Sequence, residues 1–323
     1  MTPLLEVTDL ATHFLTRAGA MKAVDGVSFQ LAPGQVLGLV GESGSGKTVT
    51  GFSLLRLIEP PGRIVRGAIR FEGQDLAALD ERAMRRVRGK RLSMVFQDPM
   101  MTLNPVLTIL QQMTLALRAH GRLPLPRIKD RCVEVLTLVG IPGAAGRLDA
   151  YPHEFSGGMR QRVAIAIALL HEPSLIVADE PTTALDVSVQ AQILAEMRDL
   201  VGRLGTSLIW ISHDLATVSS LADRIAVMYA GRIVEQGPTS QLLRRPRHPY
   251  TRGLLDSLPS RTPPGRELPH IPGMMPSLLA LPPGCAYAPR CPRADARCAA
   301  APEPTALGAV VLRCHHPLEA SAS

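Results

Sequence analysis

Residues Gly41 to Thr48 read Gly-Glu-Ser-Gly-Ser-Gly-Lys-Thr, an unbroken G-x-x-x-x-G-K-T pattern. Before it lies the apolar run Gln35-Val36-Leu37-Gly38-Leu39-Val40, and after it the helix-like stretch Val49 to Ile58. Strand, glycine-rich loop and helix in that order predict a phosphate-binding loop. Glycines let successive backbone N–H groups curl round phosphate oxygens, and the following helix adds the positive end of its dipole. The residues assigned to this cradle are Gly41, Ser43, Gly44, Ser45, Gly46, Lys47 and Thr48, with Lys47 reaching the β and γ phosphates and Thr48 holding Mg2+. The chain has only four lysines, so Lys47 does not come from a lysine-rich background. A nucleoside-triphosphate site is implied.

With 323 residues the chain has room for one α/β domain of about 250 residues and an extension. Its longest strongly apolar run, Val163 to Leu170, falls far short of the ~20 residues of a membrane span, and Met1 to Glu6 shows no secretory signal. A soluble, cytosolic chain is expected. The net charge of +7 comes from scattered arginines, with no dense basic block and only 3% aromatic residues, which argues against nucleic acid as a partner. Of the five cysteines, Cys132 stands alone in a helical stretch as a small apolar residue, whereas Cys285, Cys291, Cys298 and Cys314 crowd the end of the chain.

Short strand-like runs at Leu5 to Val7 and Val27 to Leu31 suggest an antiparallel piece that feeds the phosphate loop. Strands are predicted at Gly67 to Phe71 and Leu92 to Phe96. From Asp98 to Glu154 the character changes to helical, over Thr108 to His120 and Ile128 to Val139, with a proline-broken joint at Leu123 to Pro126. This is an inserted helical lobe. The α/β alternation resumes with helix Gly157 to Leu170, strand Ser174 to Ala178, helix Val187 to Leu204, strand Thr206 to Ile211 and a hairpin over Ile225 to Tyr229 and Arg232 to Glu235. Such alternation predicts a largely parallel sheet with helices on both faces. Beyond Pro246, recurring prolines, from Pro249, Pro259, Pro263 and Pro264 to Pro283, predict a mostly irregular tail that needs a staple.

The apolar strand Leu175-Ile176-Val177-Ala178 ends in Asp179-Glu180, the Walker B pattern. Adjacent side chains on a pleated strand diverge, so Asp179 can hold Mg2+ while Glu180 polarises the attacking water. Ser156-Gly157-Gly158 opens a long apolar helix whose free N–H groups can form a second anion site, although by itself this reads as an ordinary N-cap. The surrounding residues decide it. Phe155 to Arg162 resembles the signature sequence of ABC ATPases, and with it come Gln97 in Val95 to Pro99, the Ala184-Leu185-Asp186 turn, and His213 in Ile211 to Asp214.

The resemblance implies a P-loop NTPase fold of ABC ATPase type: a RecA-like α/β core, an antiparallel β subdomain, an inserted helical subdomain of about 98–162, and an irregular C-terminal extension. The ATPase domain is expected over 1–245 and the extension over 246–323. It implies ATP and Mg2+ as ligands, with Gln97 joining Thr48 and Asp179 at the metal, and Glu180, His213 and Gln97 as catalytic groups. Two such domains pair head to tail, so Ser156, Gly157 and Gly158 clasp the γ-phosphate held by the partner and Asp186 lies at the seam. Phe14, in a variable loop, is the ring the resemblance offers to adenine. One departure is Met159, where the family has a glutamine.

The match is closest to ATP-binding subunits of bacterial dipeptide and oligopeptide importers, carried by Gln97 to Pro105, Tyr151 to Gly158, Ala184 to Gln190, and His248 to Leu255 followed by Gly284-Cys285 and Pro289 to Pro292. It implies a peripheral subunit on the cytoplasmic face of the inner membrane, working with two permeases, a second homologous ATPase chain and an extracytoplasmic binding protein. Nickel, glutathione or another small solute are alternative cargoes of the same machine. A soluble ABC protein of DNA repair or translation is a remote alternative. The four late cysteines, spaced C-x5-C-x6-C-x15-C, can close three loops round one metal centre. Structural zinc usually takes shorter C-x2-4-C knuckles, so the wide loops favour a 4Fe-4S cluster, with zinc as the second candidate. The resemblance points the same way.

Overall fold

The two strand-like runs before the loop are the ends of one long hairpin, β1 (Leu5–Thr16) and β2 (Gly19–Leu31). The computed structural model describes residues 2–183, 185–263 and 265–319; Ala184 of the predicted turn and Pro264 of the tail lie outside the described residues, as does the side chain of Met101. Onward from the hairpin come β3 (Val36–Val40), α1 (Lys47–Leu54), β4 (Gly62–Phe71), β5 (Gln74–Asp75), α2 (Glu81–Val87) and β6 (Leu92–Val95). The helical insertion holds α3 (Pro99–Thr102), α4 (Ile109–Arg118) and α5 (Leu125–Leu138). It is followed by α6 (Gly157–Leu169), β7 (Leu175–Asp179), α7 (Val187–Leu204), β8 (Ser207–Ser212), α8 (Leu215–Ser219), β9 (Arg224–Tyr229) and β10 (Arg232–Pro238). Next comes α9 (Thr239–Arg244), and the tail contributes α10 (Pro249–Asp256), β11 (Thr305–Leu307) and β12 (Val310–Leu312). Among the described residues no helix is long and apolar enough to cross a membrane.

The chain divides into two compact units, one of Met1–Ala32, Val36–Ala77 and Ile211–Ser323, the other of Pro33–Gln35 and Ala78–Trp210. In the first, β2, β1, β4 and β5 form an antiparallel sheet in that order. A second sheet carries β3 beside β9, then β10, β12 and β11. All five residues of β3 are buried, and it runs parallel to β9 with Leu37 opposite Arg224 and Val40 opposite Val227. Gly38 is needed there because a Cβ would stand 2.0 Å from Val218 of α8. The β9–β10 hairpin turns through Ala230 and Gly231, both at positive φ (47° and 81°), the requirement of a tight two-residue turn matched to strand twist.

The tail is mostly irregular, as its prolines predict, but short regular pieces tie it down. Strand β12 pairs with β10, Glu235 opposite Leu312, so the chain end is stitched into a sheet. Helix α10 is anchored by an aromatic cluster in which the Tyr229, Tyr250 and Tyr287 rings lie 4.7 to 5.3 Å apart. Its N-cap is His248, whose Nδ1 accepts from the Tyr250 N–H at 3.0 Å. Glu235, wholly buried, accepts from the N–H groups of Arg247 and His248.

Burial holds the His248 pKa down at about 3, against 6.5 unperturbed. The folded chain therefore keeps this imidazole neutral while the unfolded chain protonates it. That contribution to stability is complete above pH 6.5 and is lost as pH falls toward 3. Between pH 7.5 and 5.5 the loss from this residue is about 1.4 kcal/mol. The unfolding free energy of wild type relative to His248→Asn, which keeps an N-cap acceptor, should fall by that amount over this interval. Parallel pH curves for the two proteins would contradict it.

The second unit contains strands β7 and β6, which run parallel from Leu92 opposite Leu175 to Val95 opposite Ala178. Its helical insertion follows the predicted periodicity: Ile109, Met113 and Leu117 of α4 and Ile128, Cys132, Val135 and Leu136 of α5 are all buried. Cys132 is a core thiol, as expected, and burial raises its pKa to about 11. Helix α7 has the predicted limits, starting at the Asp186 N-cap and ending at Gly205 with φ 64°.

Candidate functional site

In the first unit the phosphate-binding loop leaves the buried end of β3 and enters α1 through Gly46, which caps the helix at φ 103°. A Cβ at Gly46 would meet the Ala23 carbonyl oxygen at 2.2 Å, and one at Gly41 would meet that of Met228 at 2.2 Å. These two glycines are fixed by close backbone approach as well as by their conformation. Lys47 is 4% exposed, and its ammonium donates to the carbonyls of Gly41 (2.8 Å) and Glu42 (3.0 Å), which turns the charge into the curl of the loop. Ser43 and Gly44 are exposed at the tip, Ser45 is buried, and Thr48 is half-buried at the helix start. Buried cation, open tip and helix N-terminus make a cradle of the right chemistry for a polyphosphate.

Two further predicted residues belong to this unit. His213 is exposed beyond the end of β8, just before Asp214, which caps α8 by accepting from the Ala216 N–H. Phe14 lies in strand β1 and not in a loop, opposite Met21 and Gly62. Its ring covers Gly62, where a Cβ would come within 2.6 Å of it.

The second unit carries the predicted acids. Asp179 ends β7 and is 2% exposed. Glu180, next in the chain, is half-buried at φ 42°, a left-handed conformation that a glutamate holds only at a cost of about 1 kcal/mol or more. Its Oε2 accepts from Thr183 Oγ1 at 3.1 Å and, more loosely, from Gln97 Nε2 at 3.4 Å. The reversal at Glu180 turns its carboxylate away from the direction a regular strand would give it.

Ser156 caps α6, its hydroxyl accepting from the Met159 N–H at 3.3 Å, with Gly157 and Gly158 forming the first turn. Gly158 has a packing reason that the sequence reading missed: a Cβ there would lie 2.7 Å from Val189 of α7. Asp186 accepts from the Ser188 hydroxyl and the Val189 N–H, and these hold its carboxyl below the usual carboxylate range.

The four late cysteines also come together, in the first unit. Each pair among Cys285, Cys291, Cys298 and Cys314 is within electrostatic reach. Burial, and secondarily the neighbouring thiols, raise the pKa values of Cys285, Cys291 and Cys314, the last to about 11. Backbone N–H groups two residues on point at three of the sulfurs: Tyr287 at Cys285, Arg293 at Cys291 and His316 at Cys314. Among the described residues, the ligand atoms that cluster within 4.8 Å are those of Asp295, Cys298 and His316.

Residues 24–183 match the family described as ABC transporter, and residues 234–298 match that described as oligopeptide/dipeptide transporter, C-terminal region. Over 290 residues the chain is 52% identical to the oligopeptide transport ATP-binding protein OppD of Bacillus subtilis strain 168, covering 89% of this chain and 81% of that protein. It is 52% identical over 296 residues to a putative peptide import ATP-binding protein of Brucella abortus strain 2308, covering 92% and 89%. Among solved structures it resembles a dimeric ATP-binding cassette in a post-hydrolysis state bound to ADP and phosphate, with a TM-score of 0.65, 24% identity and coverage of 73% of this chain and 98% of that one. A component of an ABC transporter complex from Clostridium perfringens gives a TM-score of 0.64 at 25% identity, covering 75% and 91%.

Proposed function

The chain belongs to the ABC transporter ATP-binding family, and on that premise we propose that it is the ATP-hydrolysing subunit of an importer of dipeptides or oligopeptides. One observation carries the cargo class: behind the ATPase region, residues 234–298 match the C-terminal region of oligopeptide and dipeptide transporters. The proposed assembly is two membrane permeases, a second homologous ATPase chain and an extracytoplasmic binding protein, with this subunit peripheral on the cytoplasmic face.

In this reading the loop N–H groups of Gly41 to Thr48 and the buried Lys47 bind the β and γ phosphates of ATP. Glu180 accepts a proton from the attacking water, and Gln97 and His213 orient that water and the γ-phosphate. Mg2+ supplies neutralisation of the charge that develops on the phosphate oxygens, and Thr48, Asp179 and Gln97 would hold it. Ser156, Gly157 and Gly158 act on nucleotide bound by the partner chain, with Asp186 at the seam; Phe14 faces adenine. Their helix start can offer unsatisfied N–H groups to an anion.

The assembled complex in lipid vesicles should hydrolyse ATP faster when peptide and binding protein are supplied, and the isolated chain should be slow. Stimulation by nickel or glutathione, with none by peptides, would replace the cargo and leave the machine. Hydrolysis indifferent to permeases would remove transport altogether.

The thiols fit a metal centre. Four cysteines within reach of one another, with backbone N–H groups directed at three sulfurs, suit thiolate ligands, and a bound cation is what would stabilise thiolates where burial favours thiols. Four thiolates on one zinc ion sit ~3.8 Å apart, given Zn–S bonds of about 2.3 Å. No three of these sulfurs, among the described residues, lie within 4.8 Å of one another. The wide C-x5-C-x6-C-x15-C spacing along the chain favours a 4Fe-4S cluster held by Cys285, Cys291, Cys298 and Cys314, with a structural role. Anaerobically purified protein should then absorb near ~400 nm and contain about four irons. One zinc per chain would keep the ligands and change the metal, and a colourless, metal-free, folded tail would refute both.

A further inference from the structure

The phosphate loop is held from behind by the C-terminal extension, chiefly through one residue. Glu42, the second residue of the loop, has three backbone and side-chain links that lead in different directions. Its carboxylate accepts both arms of the Arg290 guanidinium, Nη1 to Oε2 at 2.7 Å and Nη2 to Oε1 at 3.0 Å. Its N–H donates to the hydroxyl of fully buried Tyr250 at 2.9 Å. Its carbonyl accepts from the Lys47 ammonium at 3.0 Å. One side of Glu42 therefore faces the extension and the other faces the cation of the nucleotide site.

Arg290 is built to hold this position. Its side chain is 6% exposed, and every N–H it carries has an acceptor. Besides Glu42 these are Pro272 O at 2.8 Å, Tyr229 Oη at 3.3 Å and Ile271 O at 3.4 Å. The fork matches the carboxylate in a way a lysine cannot. A third contact brings the extension to the loop tip, since a Cβ at Gly44 would meet the Met275 methyl at 3.2 Å. Arg290 also ends the helical turn Ala288–Arg290, which lies between Cys285 and Cys291, so its place depends on the fold of the thiol-bearing segment.

We propose that Arg290 is a positioning residue for the phosphate loop: through Glu42 it sets the position of Lys47, so that ATP affinity depends on the folded extension. The inference rests on the reading that the loop binds ATP. By reciprocity, ATP must stabilise the extension by as much as the extension favours ATP.

The test is ATP affinity and hydrogen exchange of the full-length chain. Arg290→Met should weaken ATP binding by about tenfold or more, Glu42→Gln likewise, and the double variant should be no weaker than either alone. Arg290→Lys, which keeps the charge without the fork, should fall in between and serves if Arg290→Met does not fold. In wild type, ATP should slow exchange over residues 285–291, and in Arg290→Met it should not. A residue with a purely structural role would lower the melting temperature and leave both the affinity and this ATP-dependent protection unchanged. Affinity within twofold of wild type in both Arg290 variants overturns the proposal. Lys47→Ala is the control for the underlying reading, because undiminished ATP binding there would show that the loop is not the site, whatever Arg290 does.

Discussion

Replacing Glu180 with glutamine should abolish steady-state ATP hydrolysis in the assembled complex and leave ATP binding intact. The glutamine has the same shape, so it can keep the left-handed backbone at φ 42° and still accept from Thr183 and Gln97 through its amide oxygen. What it loses is basicity. An amide does not take up the proton of an attacking water, and removal of a positioned base typically costs ~10² to 10⁴ in rate. Asp179 is untouched at the buried end of β7, so metal-dependent ATP affinity should stay within about twofold of wild type. Turnover within tenfold of wild type would remove Glu180 from the base role and move attention to His213.

The elements that were legible in the sequence are those whose signals are local. Helix α7 has its cap at Asp186 and its stop at Gly205, and its predicted limits match the structure. Strands β3 and β7 announce themselves as short apolar runs because every residue in them is buried. The hairpin of β1 and β2 was legible only at its ends. Its middle carries polar residues, a bulge near Asp9 at φ 49° and several register shifts, which break the alternation a strand reading depends on. Phe14, which the resemblance puts in a variable loop, lies in this strand.

The tail is mostly irregular, as its prolines predict, and its few regular pieces escaped the reading for a different reason. Proline content speaks against regular structure, but α10 begins at Pro249, where the missing N–H costs nothing, and it is held by Tyr229, Tyr250 and Tyr287 from distant parts of the sequence. The Glu42–Arg290 pair spans 248 residues and has no periodic or spacing signal at all. The one trace in the sequence is an arginine beside the cysteine cluster, which a charge reading assigns to solvent. Contacts of this kind become visible only in the folded chain, where Arg290 reaches Glu42.

Lys47→Ala should separate the chemistry of the loop from its stability. The ammonium is 4% exposed and is turned toward the carbonyls of Gly41 and Glu42, so the fold keeps a cation desolvated at a place where a polyphosphate would reward it. Charge-assisted hydrogen bonds to phosphate are worth about 1.5–3 kcal/mol each. Loss of the ammonium from the β and γ phosphates should therefore raise the dissociation constant for ATP by about 10²-fold. The unliganded protein should melt no lower than wild type, because the alanine removes a buried charge together with its desolvation cost. The contrast appears on adding nucleotide. At an ATP concentration of about 100 times the wild-type dissociation constant, binding stabilises wild type by about 2.7 kcal/mol, and the variant, near half saturation, by about 0.4 kcal/mol. Thermal melting of both proteins with and without ATP and Mg2+ measures all four states. An ATP-induced shift of the same size in both would take Lys47 out of the nucleotide site, and a large fall in the unliganded melting temperature would make the lysine a structural residue of the loop.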